Sequence, residues 1–217
     1  MTEPIKKRAR GQAQKQERRL SILQSGASLL ATRDYAGISV QLIATEAGVA
    51  PGTIYLYFKT KEELFLALHQ QERLSLMKEW QTKLAKLTNP DDLPKLTGGI
   101  LAHRPVLMRL FVITNQILEH NISFDLAKEF KLELHRALGE TGTALEQAIP
   151  WMQPGQGAGY LWHVMIYAIG LWPTCDQAPI IQEVYAQVPE LQVKLPEFSA
   201  ALEQAAGWFL EGMKRGV

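Results

Sequence analysis

The sequence predicts an all-α protein in two parts, a small basic front and a larger helical remainder. Three observations carry that prediction. Apolar residues recur at spacings of three and four through most of the chain, and no convincing alternating strand pattern or internal repeat occurs. Helix punctuation falls at sensible intervals, with Ser39 and Thr60 placed as N-caps, Gly48 as a terminating glycine and Pro51 as a first helical residue. The net charge of +1 conceals a split: residues 1–61 hold ten Lys/Arg and four Asp/Glu (+6), whereas residues 62–217 hold thirteen and eighteen (−5).

Residues 1–13, polar and interrupted by Pro4 and Gly11, read as a flexible basic arm, either a contact for a polyanion or a solvated terminus. A first helix runs from about Gln14 to Arg33, with Leu20, Leu23, Ala27 and Leu30 on one stripe. Ser39 then caps a short second helix in which Val40, Ile43, Ala44 and Ala47 face inward and Gln41 and Thr45 outward. Gly48 ends it, and Pro51, whose missing N–H costs nothing at a helix start, opens a third helix over 51–58. Thr60 and Glu63 form a capping box for a long fourth helix over 60–88, whose Glu62 and Glu63 suit the positive end of the helix dipole. Leu64, Leu68, Met77, Trp80, Leu84 and Leu87 carry its stripe. Further helices are expected over 91–102, 104–120, 123–148, 155–172 and 196–214, with a proline-punctuated connection over 173–195 that holds a short helix near 180–187. The domains are then 14–77 and 78–217, joined by the long helix.

Composition narrows the function classes. A single cysteine, Cys175, rules out an intrachain disulfide and favours a reducing compartment; with no apolar leader, a cytoplasmic protein is expected. The most apolar run, AGYLWHVMIYAIGLWP at 158–173, is shorter than the ~20 residues of a membrane span and is interrupted by His163, so a buried helix is expected and no membrane partner. No two of the five histidines lie three or four apart, and no C-x-x-C or G-x-S-x-G occurs. The stretch GQGAGY at 155–160 lacks the last glycine of a dinucleotide fingerprint and follows no strand. Neither an enzyme nor a cofactor is expected. Cys175 leaves a redox sensor or an enzyme-like module as the alternative for the larger part.

The stretch GVAPGTIYLYFKTKEE, residues 48–63, is the most informative. On a wheel of 51–58, Ile54 and Phe58 share a face fit for a core; Gly52, Thr53 and Leu56 lie opposite, flanked by Tyr57 and Tyr55. A helix this short cannot bury them all. Either the tyrosines brace it against the fourth helix, or the outer set meets a partner. Two short helices joined by a glycine turn, behind a basic helix, are the outline of a helix-turn-helix, whose second helix enters a DNA major groove. Gly52 permits close backbone approach, Tyr55 and Tyr57 offer hydroxyls to phosphate, Leu56 suits a thymine methyl, and Lys59 and Lys61 add salt-dependent backbone contacts.

The run from Arg18 to Leu68, above all SVQLIATEAGVAPGTIYLYFKTKEELF, resembles the DNA-binding domain of the TetR family of bacterial transcriptional regulators. Gly48, G-T-I-Y at 52–55, Y-F at 57–58 and K-x-K-E-x-L at 59–64 match its pattern. The resemblance implies a helix-turn-helix DNA-binding domain followed by a larger helical ligand-binding and dimerisation domain. It places Ser39 and Gln41 at phosphate or a groove edge, Pro51, Gly52, Thr53, Tyr55, Leu56 and Tyr57 on the recognition helix, and Lys59 and Lys61 as backbone clamps; the outward Thr45 is a further candidate for DNA contact. Two departures stand out: Ala50-Pro51 replaces a serine and polar residue, and Leu56 replaces a frequent aromatic.

The resemblance also implies a homodimer paired through its last two long helices and a small-molecule effector that releases a double-stranded operator. For the pairing, the sequence offers Leu161 and Met165 in the apolar run and Ala201, Leu202, Ala205 and Phe209 in the last helix. For the effector, it offers Asn115, Gln116, His120, Trp151, His163 and Tyr167, each equally readable as ordinary core or helix-end residues.

Overall fold

The computed structural model describes residues 3–191 and 197–216, with side chains from residue 11 onward. Its described residues form ten α-helices and short 3-10 and π turns, with no strand. The order is α1 (Glu3–Thr32), α2 (Val40–Glu46), α3 (Pro51–Tyr55), α4 (Lys61–Leu84), α5 (Leu93–Ala102), α6 (Pro105–Ile113), α7 (Phe124–Ala148), α8 (Gln156–Cys175), α9 (Pro179–Gln187) and α10 (Phe198–Arg215). No single helix among the described residues is long and apolar enough to cross a membrane.

The chain divides into two compact units, and the division falls inside α4. One comprises residues up to Gln71 together with Ile113–Ile122; the other comprises Glu72–Val112 and the chain from Ser123 onward.

In the first unit α1 begins at Glu3, so the segment expected as a flexible arm is helical in its backbone. Its residues explain this: lysine, arginine, alanine and glutamine are good helix formers, Pro4 sits in the tolerant first turn, and Gly11 alone opposes. The buried stripe of α1 keeps Leu23 and Leu30 of the expected set and adds Ile22 and Leu29, whereas Ala27 is half-buried and Leu20 exposed. Gly26 lets α4 come close, since a Cβ there would stand 3.1 Å from Leu64 Cδ2. Ile43 and Ala44 of α2, Ile54 of α3, Phe58, and Leu64, Phe65 and Leu68 of α4 complete this core.

Three local devices set the turn between α2 and α3. Ser39 Oγ accepts from the Leu42 N–H at 3.1 Å, capping α2. Gly48 adopts φ +64°, the left-handed region that glycine enters without a Cβ penalty. Pro51 starts α3 with no side-chain cap from Ala50. The start of α4 is a variant capping box: Thr60 Oγ1 accepts from Glu63 N at 3.1 Å, while Glu63 Oε2 accepts from Lys59 N at 2.8 Å, one residue before the cap.

The second unit is a helical cluster around Trp80, Leu93, Ile100, Leu107, Met108, Tyr160, Val164, Leu202 and Leu210. Helix α5 packs on α10, α7 on α8, and α8 on α10. Glycines set two of these contacts. A Cβ on Gly98 of α5 would meet Ser199 O of α10 at 2.7 Å, and one on Gly142 of α7 would meet Ala158 N of α8 at 2.5 Å. The buried Tyr160 hydroxyl meets Thr97 Oγ1 at 3.1 Å, which itself donates to Leu93 O at 2.8 Å. Burial drives the Tyr160 phenol well above its ordinary range, against the pull of that hydrogen bond. Arg109 grips Asp176 with Nε and Nη2 at 2.6 and 2.8 Å, and Trp172 Nε1 donates to the same carboxylate at 2.9 Å, tying the end of α8 to α6.

Candidate nucleic-acid interface

The first unit spends Ile54 and Phe58 on its core, 1% and 4% exposed, and leaves the opposite side of α3 outward. Tyr55 is 54% exposed and Leu56 77%, unusual values for large apolar side chains on so short an element. Gly52 is exposed, and a Cβ there would meet nothing within 4 Å, so the backbone is open to close approach from outside. Pro51, Thr53 and Tyr57 are half-buried at the margins. The Tyr57 ring leans on Phe58, 6.5 Å between centroids, so Tyr57 both braces the helix and keeps an open edge. Ser39, Gln41 and Thr45 are exposed on α2 and its cap. Ser39 Oγ is occupied by its capping bond, and Thr45 Oγ1 donates to Gln41 O at 3.0 Å. Lys59 is exposed just beyond α3.

Lys61 corrects the sequence reading. It was expected as an outward backbone clamp, but its Nζ donates to Tyr35 O at 3.1 Å and Ile38 O at 2.9 Å and lies 3.8 Å from the centre of the Tyr35 ring. Tyr35 and Ile38 bound the 3-10 turn after α1, and Lys61 at the start of α4 reaches both carbonyls, as a second donor to Tyr35 O, which already accepts from Ile38 N at 3.1 Å. Burial lowers the Lys61 ammonium pKa, and the charge of Glu62 partly restores it. The Tyr35 hydroxyl donates to Glu62 Oε1 at 2.8 Å, and burial followed by that contact raises its pKa well above the ordinary range. Burial pushes the Glu62 carboxyl up, but hydrogen bonds from Tyr35, its own backbone and Thr60, with the charge of Lys61, outweigh this and leave it low. Sequence reasoning missed this cluster, as it missed Arg19, whose guanidinium lies 5.2 Å over the Phe58 ring. Both join residues more than twenty positions apart, and no periodicity announces such pairs.

The residues offered for an effector are divided between the two units. Asn115 and Gln116 lie exposed on a π turn, Thr114–Leu118, that continues α6, and His120 lies exposed on the following 3-10 turn; all three belong to the first unit. Trp151, His163 and Tyr167 belong to the second. There His163 Nδ1 lies 2.8 Å from Gly159 O of its own helix, and its ring and that of Tyr167 lie 5.8 and 6.2 Å from Phe209. Of the residues offered for pairing, three are corrected by burial: Leu161, Leu202 and Ala205 are buried within the subunit itself. Met165, Ala201 and Phe209 are half-buried. The large apolar side chains exposed on these helices are Trp162, Ile166 and Trp208.

Comparison with known proteins bears on the family and the fold. The family model described as "Bacterial regulatory proteins, tetR family" matches residues 22–68, and that described as "Tetracyclin repressor-like, C-terminal domain" matches residues 70–216. A curated relative, the fatty acid metabolism regulator protein of Bacillus subtilis (strain 168), is 39% identical over 59 residues, which are 27% of this chain and 30% of that protein. Two solved structures share the fold: the fatty acid degradation regulator FadR from Bacillus halodurans, with TM-score 0.59 at 17% identity over 88% of this chain and 94% of that one, and the regulator FadR from Bacillus subtilis in complex with stearoyl-CoA, with TM-score 0.51 at 20% identity over 91% and 98%.

Proposed function

The chain belongs to the TetR family of bacterial transcriptional regulators and is a DNA-binding protein of that kind; from this premise we propose that it is a ligand-released repressor acting as a homodimer on a near-palindromic operator. The observation that carries the reading is the outer face of α3, where Gly52, Tyr55 and Leu56 stand exposed behind a core-filling Ile54 and beside the exposed Lys59. A major groove accepts an α-helix, and two heads related by a two-fold axis meet the two halves of an inverted repeat. The protein works in the cytoplasm, where its operator is. The larger, mostly apolar helical unit is the receiver for a small molecule. Because one structural relative was solved with stearoyl-CoA, fatty acids and acyl-CoAs come first in a screen for the molecule that releases DNA.

The redox-sensing alternative draws less support. Cys175 is half-buried, and burial together with the nearby charge of Glu197 pushes its thiol up, away from the reactive thiolate.

The test is selection of bound sequences from a random duplex pool by the purified protein. Enrichment of a single inverted repeat, with binding that weakens steeply in salt, is expected. On that operator Tyr55→Ala is expected to weaken binding by about tenfold, the worth of one hydrogen bond to a charged oxygen, without lowering Tm. Equal recovery of unrelated sequences would instead indicate an architectural protein.

A further inference from the structure

Arg73 occupies α4 within the second unit and is 3% exposed. A guanidinium presents five N–H donors in a fixed fork. Here Nε, Nη1 and Nη2 are all buried and find no hydrogen-bond acceptor among the described residues. The partnering carboxylate, Glu133 of α7, stands 3.7 Å from Nη2, too far for a hydrogen bond, and is partly exposed. Phe130, one turn earlier on α7, lies beside the guanidinium, 5.5 Å from Cζ to ring centroid. Arg136, one turn after Glu133, brings a second positive charge whose repulsion Arg73 feels.

Native folds leave few buried polar groups unmatched, and each such group calls for a reason. A loose ion pair does not repay the desolvation of a guanidinium, so stability does not explain a buried arginine here. Arg136 has its own partner in Glu140, 4.0 Å away, so among the described residues Glu133 is the one carboxylate that faces Arg73, and it stays beyond hydrogen-bond reach. Flanked by an aromatic ring and short of acceptors, the fork is ready for a carboxylate or a phosphate, which it grips with two parallel hydrogen bonds. A free, strongly hydrated anion would shed its water to reach so enclosed a site. One carried on an apolar body would be brought there by the burial of that body. Leu76 and Trp80, three and seven residues on along α4, are both buried apolar side chains on the same stripe.

We propose that Arg73 anchors the oxyanion, carboxylate or phosphate, of an amphipathic effector that binds within the second unit, with Glu133 as the competing carboxylate that holds the fork in the absence of effector. This rests on the ligand-responsive reading above.

The experiment is thermal unfolding of the full chain with sodium decanoate, decyl phosphate or decanol, below micelle formation and at matched ionic strength. At least one of the two anions is expected to raise Tm above the decanol value by about 3 °C or more, and the one that does so names the head group. Arg73→Gln is expected to abolish that excess. Glu133→Gln, which removes the competitor, is expected to enlarge it. Decanol matching both anions on the parent protein, or an excess that survives Arg73→Gln, overturns the proposal. If Arg73→Gln does not fold, an excess in Glu133→Gln smaller than in the parent overturns it equally. A protein that selects an inverted repeat but shows no excess loses the anchor alone. One that shows an excess dependent on Arg73 but selects no operator keeps the anion site and loses the regulatory reading.

Discussion

Two lysines two positions apart have different surroundings. Lys59 is exposed, whereas Lys61 gives its ammonium to two backbone carbonyls and the Tyr35 ring. Lys61→Met is therefore expected to destabilise the head by about 1–3 kcal/mol, the worth of charged hydrogen bonds in a half-buried setting. Lys59→Met is expected to leave Tm unchanged, weaken operator binding and lower the salt slope by about one counterion. A Lys61→Met protein with unchanged Tm and a reduced salt slope would return Lys61 to the DNA. The adjoining Glu62 adds a pH dependence. Its carboxyl titrates below the ordinary 4.5 in the folded protein. A depressed carboxyl contributes stability that is present above its unfolded value and is lost as pH falls through its folded value. Tm is thus expected to decline below about pH 4.5 more steeply in the parent than in Glu62→Gln. Parallel declines in the two proteins would show that the Tyr35–Glu62 hydrogen bond contributes nothing.

At the scale of elements, the features legible in the sequence are those fixed within a few residues. The Ser39 cap, the Gly48 terminator and the Pro51 start stand where their chemistry places them, because capping and left-handed turns answer to local backbone needs. The outward Tyr55 and Leu56 were legible because a segment as short as 51–58, with Ile54 and Phe58 turned to the core, has no room to bury the rest. What the wheel could not give is which apolar face meets which neighbour. The inward places of Leu161, Leu202 and Ala205 depend on how α8 and α10 are rotated within a cluster where α10 packs on both α5 and α8, and α8 also on α7. Arg73 left a faint trace, three residues before Leu76 and seven before Trp80 on an apolar stripe, yet spacing alone does not say whether such an arginine is buried or reaches water. Nor did periodicity reveal that α7 and α8 meet backbone to backbone at Gly142 and Gly157, because glycine contributes nothing to a hydrophobic stripe. That contact predicts a contrast within one helix. A Cβ on Gly142 would press on Ala158 at 2.5–3.0 Å, whereas one on Gly139 would meet nothing within 4 Å. Gly142→Ala is expected to cost about 1–3 kcal/mol by forcing α7 and α8 apart. Gly139→Ala is expected to stabilise by about 0.5–1 kcal/mol through helix propensity alone. Urea unfolding of the two variants separates the effects, and equal midpoints would mean that α7 and α8 are not in backbone contact there.

For the molecule as a whole, the proposed pairing on an operator directs attention to the exposed faces of α8 and α10. Trp162 and Ile166 lie four residues apart on one face of α8, each 55% exposed, and Trp208 on α10 is 63% exposed. A single exposed apolar residue needs no explanation, but three large ones on two packed helices whose opposite sides fill the core are a surface suited to a second copy. A pair of heads held together binds the second half-site at high effective concentration, raising affinity by on the order of 10²–10⁴ over one head. Trp162→Glu combined with Trp208→Glu is accordingly expected to give a monomer by sedimentation, with the helical circular dichroism of the parent. Its binding to a duplex carrying one half-site should be unchanged, because the outer face of α3 is untouched. Its binding to the full inverted repeat should fall by that same order. A variant that stays dimeric would move the pairing face elsewhere on the chain. A parent protein that sediments as a monomer and still binds the full repeat tightly would remove the need for pairing altogether, and with it the two-fold logic that links the helical unit to the operator.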